Sequence, residues 1–242
     1  MSVTVSLDAA GRYFATFLCT DVPTKDTPAT DRKVGIDLGV ETLATLSDGR
    51  KIGNPRHLKK YERKLAREQR RLSRRKGTRR GEKPSGRYLK QRKRVARIHA
   101  KIADARTDTL HKVTTMLADE NQVLCMEDLN AKGMMRNCHL AKAVSDASFG
   151  EFARLLEYKC AERGRTLVKV GRFYPSSKTC SACGHRLDVL PLSVRSWDCP
   201  VCGAHHDRDV NAARNILAEG KRILSNTEGT AGHAGTGADI TA

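Results

Sequence analysis

Two Cys-x-x-Cys pairs, Cys180-Ser-Ala-Cys183 and Cys199-Pro-Val-Cys202, stand fifteen residues apart, and they constrain the fold around them more than any apolar pattern does. The spacing is that of four thiolates set tetrahedrally around one zinc ion. Gly184 and Gly203 each follow a pair, where the backbone must turn its amides toward sulfur. Four thiolates leave no open coordination position, so the zinc predicted here is structural. The alternative, a redox dithiol, would need only one pair in a βαβ setting. Cys19, Cys125, Cys138 and Cys160 are scattered, which suits ordinary thiols in a reducing compartment and not a disulfide scaffold. His185, His205 and His206 are surplus to the four ligands and are expected in exposed loops, whereas Trp197 is expected to pack on the ribbon.

Charge is the second constraint. Residues 50 to 106 hold 24 Lys and Arg against four acids (Glu62, Glu68, Glu82, Asp104), so this stretch carries the whole positive excess of a chain that nets +18. Solvated helix faces usually interleave both signs. Here the cations would repel one another without an anionic partner, which points to nucleic acid held through its phosphates. Candidate contacts are Arg70, Arg71, Arg74, Arg75, Arg79, Arg80, Arg92 and Arg94.

Periodicity supplies the organisation. Residues 1–30 alternate as a β-hairpin and pass into a Pro- and Thr-containing linker. Val34, Ile36 and Leu38 mark a strand, and Leu43 to Leu46 a second. From about 57 to 117 the period is helical, with Leu58, Tyr61, Leu65 and Leu72 on one segment and Val95, Ile98, Ile102, Ala105, Thr109, Val113 and Met116 on another. Gly and Pro between them predict a helical hairpin with a narrow apolar seam. "NQVLCMEDL", "SFGEFARLLEYKCAERG" and "RTLVKVGR" read as strand, helix and strand, hence a parallel crossover. Residues 204–220 end in a helix, and the Gly- and Thr-rich residues 221–242 are expected to be a disordered tail. No apolar run reaches 18 residues, so neither membrane insertion nor secretion is expected, and the expected location is cytoplasmic, with the nucleoid.

Three acids stand out. Asp37 lies inside the apolar "VGIDLGV", where a carboxylate is costly unless compensated. Glu127 ends another strand, and Asp209 opens a helix. Singly, each has a plainer role: a hydrogen-bonded strand-end residue, an exposed acid and a helix cap. Together they are hard oxygen ligands from three separate elements, the set a two-magnesium phosphodiester site needs. Gly35 and Gly39 leave room for a backbone or ligand nearby.

"GIDLG", "MEDLN", "YPSSKTCSACG" with its second Cys-x-x-Cys, and "DRDVNAARNI", in this order, resemble the RuvC-like nuclease region of TnpB, the transposon-encoded family similar to type V CRISPR effectors. The resemblance covers roughly residues 32 to 220. It implies an α/β, RNase H-like (RuvC) mixed sheet with helices, in which residues 31–178 are the nuclease core, 57–117 an inserted basic helical hairpin, 179–203 a zinc ribbon and 204–220 the last nuclease segment. It also implies a DNA endonuclease guided by RNA from the same element. Asp37, Glu127 and Asp209 would be its catalytic triad, holding two Mg2+ ions, while Asp207 would be a supporting or loop residue. Cys180, Cys183, Cys199 and Cys202 would hold one Zn2+. Against that family the chain is short at its amino-terminal side, where residues 1–30 resemble the end of a wedge domain. Two alternatives stay open: a shortened, non-cleaving relative that binds RNA or DNA, and a strand-transferring transposase with the same triad.

Overall fold

The computed structural model describes residues 2–20, 27–75 and 83–231. They fall into two compact units, residues 1–25 with 55–113, and residues 26–54 with 114–242. Residue 1, residues 21–26 of the expected linker, residues 76–82 of the basic stretch and residues 232–242 lie outside the described residues.

In the first unit β1 (Ser2–Leu7) and β2 (Tyr13–Leu18) form an antiparallel hairpin, with Val3 opposite Phe17 and Leu7 opposite Tyr13. Gly11 closes the turn at φ +80°, a conformation that costs glycine little. All residues of both strands are exposed, so the alternation sorts the faces without burying one of them. α1 (His57–Arg74) and α2 (Gly86–Glu120) follow. Leu65, Val95, Ile98 and Ile102 are buried together, with Leu58, Tyr61 and Leu72 against them, which is the apolar seam expected from the 3.6-residue period. Each buried aliphatic side chain contributes on the order of 2 kcal/mol, which offsets the repulsion between helices this rich in cations. The seam contains one polar lock: Gln91 is fully buried and its amide donates to the backbone carbonyl and the carboxylate of Glu68, at 3.1 and 2.8 Å.

The second unit is built on β3 (Lys33–Leu38), β4 (Thr42–Leu46), β5 (Lys51–Gly53), β6 (Val123–Glu127) and β7 (Thr166–Val170). The sheet order is β5-β4-β3-β6-β7. β3, β4 and β5 pair antiparallel, while β6 runs parallel to both β3 and β7, so the fold is mixed α/β. The short helices α3 (Ala131–Met134) and α4 (Ala141–Ala147) precede α5 (Phe149–Glu162), which forms the crossover to β7. β8 (Ser196–Asp198) and β9 (His205–Asp207) make a separate ribbon.

The last helix, α6 (Arg208–Ala231), packs on β3, β6, β4 and β7, and two glycines set its approach. A Cβ at Gly35 would lie 2.0 Å from the carbonyl oxygen of Ala213, and one at Gly220 would lie 2.3 Å from the Cys125 sulfur. The space foreseen at Gly35 is therefore filled by the helix itself. The tail expected from residue 221 is helical as far as Ala231. Ile223 and Leu224 rest on the core cluster of Val123, Cys125, Val168, Val170 and Ile216, and this apolar contact at helical spacing prolongs the helix past the predicted stop. Among the described residues, no helix is long and apolar enough to cross a membrane.

Candidate functional site

The four cysteines of the two pairs come together, with all their sulfurs within 4.8 Å of one another. Cys180 and Cys202 are 3.7 Å apart, and Cys183 and Cys199 3.6 Å. Four sulfurs at zinc–thiolate bond length give a tetrahedral edge of about 3.8 Å, whereas a disulfide would need about 2.05 Å. The donors present therefore fit zinc. Each half of the cluster is the same knuckle: Cys180 N–H donates to His185 O and Gly184 N–H to Cys180 O, just as Cys199 N–H donates to Ala204 O and Gly203 N–H to Cys199 O. Both glycines have positive φ, 79° and 70°, which explains their positions. The backbone N–H groups of Cys202 and Val201 lower the Cys199 thiol, against the effect of burial, which favours the thiolate that a metal takes.

The histidine expectation needs one correction. His205 is exposed and pairs with Asp198, but His206 is buried, with its ring 4.7 Å from that of Trp197 and its Nε2 3.0 Å from the Cys180 sulfur. β9 alternates, so adjacent histidines must point to opposite faces. Trp197 does pack inside the ribbon, among Cys180, Leu190 and Cys199.

The ribbon is tied to α6 by residues that the motif reading left without a role. The Asn211 side chain accepts from Ser181 N–H and donates to Thr179 O; the Asn215 side chain donates to Ser176 O and Thr179 O. Arg208 donates to Pro191 O and Val194 O. The available signal was two asparagines four residues apart on an otherwise apolar helix face, where an amide is buried only with partners. Asp207 caps the helix: its Oδ1 accepts from the N–H groups of Asp209 and Val210, and its Oδ2 pairs with Lys51 at 2.6 Å. Although partial burial acts the other way, Lys51 and the amides hold the Asp207 carboxyl below its ordinary range. The cap is thus Asp207, and Asp209 is released from that role.

The three acids of the predicted triad lie near enough to influence one another, at the carboxyl-end edge of the sheet. β3 and β6 are parallel with Ile36 beside Met126, so the next residues, Asp37 and Glu127, stand side by side at the carboxyl ends of their strands. Gly35 faces Ala213 and Leu217. From there Asp37 is two residues along the strand, about 6.6 Å, and Asp209 one helical turn back, about 6 Å. Burial, with the charges of Asp209 and Glu127, pushes the Asp37 carboxyl up to about 7, while Arg208 pulls slightly the other way. Glu127 is also raised, by burial and then by Asp128. Among the described residues neither the Asp37 nor the Glu127 carboxylate accepts a hydrogen bond, and the three carboxylates do not close to the spacing of the sulfur cluster. Carboxylates that raise one another, with only the guanidinium groups of Arg208 and Arg195 nearby to offset them, fit divalent cations bound through oxygen. Arg195 reaches this edge unforeseen, 3.8 Å from Asp209 and 2.9 Å from Glu41.

Of the arginines proposed to meet nucleic acid, Arg70, Arg71, Arg74, Arg75, Arg92 and Arg94 are exposed. Arg71 pairs with Glu68, and Arg75 donates to the side-chain oxygen of Gln91, both at 3.0 Å. Arg79 and Arg80 lie outside the described residues.

This arrangement of sheet and helices is shared with a solved CRISPR-Cas12f ternary complex, at 23% identity and a TM-score of 0.55, over 89% of this chain and 44% of that one. Residues 17–138 match the family OrfB_IS605, described as "Probable transposase", and the chain belongs to that family. Residues 149–216 match the Cas12f1-like TNB domain. A Streptomyces pristinaespiralis protein named "Putative RNA-guided DNA endonuclease" is 51% identical over 219 residues, 90% of this chain and 52% of the relative. An Escherichia coli K12 protein with the same name, InsQ, is 35% identical over 93% of this chain and 58% of its own. TnpB-like proteins of a mimivirus are also similar, at 29% identity over 142 residues. The TnpB kinship read from the motifs thus holds, and the chain spans about half the length of the curated relatives it matches.

Proposed function

We propose that this chain carries the nuclease core of a transposon-associated, RNA-guided DNA endonuclease with an RNase H-like (RuvC) sheet. The observation that carries the reading is the meeting of Asp37, Glu127 and Asp209 from β3, β6 and the start of α6, close enough for the last two to raise the carboxyl of the first. In this reading residues 31–178 form the core, with the 57–117 hairpin inserted, and 179–203 form a zinc ribbon. Two Mg2+ ions, when bound, would lower the pKa of the attacking water and stabilise the leaving oxygen of the phosphodiester. Asp37 and Glu127 would hold those cations from the sheet and Asp209 from the helix. Lys51 and Asp207 keep the first turn of the helix in place, and the ribbon, held by Asn211, Asn215 and Arg208, fixes its entry. The α1–α2 hairpin would hold the nucleic acid through its phosphates. The names of the relatives support an RNA guide and a DNA target.

The test is to purify the chain with any RNA it retains and to assay magnesium-dependent cleavage of single- and double-stranded DNA, wild type beside Asp209→Ala. Cutting should require magnesium and Asp209, with the variant about a hundredfold to a thousandfold slower, a loss of the size seen when a main electrostatic contributor to catalysis is removed. Removal of the bound RNA should abolish sequence-directed cutting. Equal binding without cutting in both proteins would replace this reading with that of a non-cleaving nucleic-acid binder.

A further inference from the structure

The basic hairpin is not uniform. Between α1 and α2 lies a groove of about 360 Å3 lined by Tyr61, Lys64, Glu68, Arg71, Arg94, Arg97, Ile98 and Lys101. Five of these side chains are cations, and one acid, Glu68, lies at the buried seam. Most of the lining is already fixed. Gln91 and Arg71 hold Glu68, Arg97 donates to Ala10 O in the β1–β2 turn, and Lys101 sits over the Tyr61 ring at 5.6 Å. The Lys64 and Arg94 side chains are exposed and make no hydrogen bond or ion pair among the described residues.

We propose that this groove is a specific seat for one nucleotide unit of a bound strand, its phosphodiester held by Arg94, Arg97 and Lys64 and its sugar lying against Tyr61 and Ile98. The proposal rests on the nucleic-acid reading above and adds to it a single anchoring position. Convex cations contact phosphates one at a time and in water. Here several converge on one concave site, where field lines concentrate and a guanidinium keeps its fork geometry for phosphate oxygens. The volume lies at the lower end of the roughly 300–1,000 Å3 range of small-ligand pockets, more than a lone phosphate needs. Glu68 does not cancel the site, because the Gln91 amide and the Arg71 guanidinium take up its oxygens. Its remaining effect is to orient Arg71 along the wall.

Single-stranded DNA and RNA oligonucleotides of equal length, followed by fluorescence anisotropy at several salt concentrations, provide the test. Arg94→Ala carries it, since Arg94 breaks no bond within the chain; Arg94→Ala/Arg97→Ala extends it. The control is Arg63→Ala/Arg87→Ala, which removes two exposed cations outside the groove. Arg94→Ala should weaken binding at least about tenfold, the loss of one charge-assisted hydrogen bond, and lower the slope of log affinity against log salt by about one. The control should lose only a few fold. The strand type showing the larger loss, RNA or DNA, identifies the occupant. If both sets of variants lose affinity equally per charge, the groove is overturned and the hairpin acts as an undifferentiated basic surface. If the wild type binds neither oligonucleotide, the groove and the nucleic-acid reading fail together.

Discussion

The thiolate cluster and the carboxylate edge are both suited to metal, yet they are built in opposite ways. The cysteines come from two copies of one knuckle within a short stretch, each copy held by its own amides and a glycine at positive φ. Their sulfurs stand at tetrahedral spacing. The carboxylates come from β3, β6 and α6, and only the parallel register and the seating of the helix on Gly35 bring them to one edge. Local geometry fixes the first site, whereas long-range packing fixes the second and leaves it electrostatically strained. The difference teaches that a structural site can be written into a motif, while a site suited to catalysis keeps uncompensated charge until its ligand arrives.

The largest effect should come from breaking the local site. Cys199→Ser, or zinc removal, should cost several kcal/mol of local stability, since metal binding and folding of such a ribbon are one process. Limited proteolysis should then cut within residues 179–207. The carboxylate edge should suffer too, because Asn211, Asn215 and Arg208 tie the ribbon to α6. An unchanged digestion pattern would show that the ribbon does not depend on metal.

Gly35→Ala attacks the long-range site without touching a ligand. The added methyl would meet the Ala213 carbonyl and Leu217, backbone that cannot move aside cheaply, so urea unfolding should report a loss of about 3 kcal/mol. Cleavage should fall by more than the unfolded fraction explains, as Asp209 is lifted from Asp37. Wild-type stability in this variant would mean that α6 is not seated through Gly35.

The smallest effect has the opposite sign. Asp37 has a folded pKa of about 7 against 3.8 unfolded, so the folded state binds the proton more tightly and this group's contribution falls as pH rises from about 4 to 7. Above pH 7 the full penalty applies in the absence of divalent cations. Asp37→Asn should therefore stabilise the chelator-treated protein by about 2 kcal/mol at pH 8, roughly half the value of the shift after allowing for relaxation and water. The gain should vanish below pH 4. Magnesium should raise the melting temperature of the wild type and not of the variant; an equal response would place the cation elsewhere.

Several features could be read from the residues alone. The ribbon ligands, the seam of Leu65, Val95, Ile98 and Ile102, and the crossover through α5 each follow from spacing or period, because each depends on neighbours a few residues away. The burial of His206 is not legible in the sequence, because a two-residue alternation inside a three-residue strand leaves no pattern to see. Lys51 and Arg195 carried no signal, as their partners Asp207 and Asp209 lie far along the chain from Lys51 or across the ribbon from Arg195.

By itself the sequence determined which residues could bind what: soft sulfur at one set of positions, hard oxygen at another, and positive charge concentrated between. Only the tertiary structure decided that Asp207 caps α6 while Asp209 turns to Asp37, and that the helix runs on past residue 220. Both outcomes depend on packing an apolar helix face against the sheet, with Gly35 on the strand and Gly220 on the helix at the points of contact, and steric fit between residues far apart along the chain leaves no local pattern for a sequence to display.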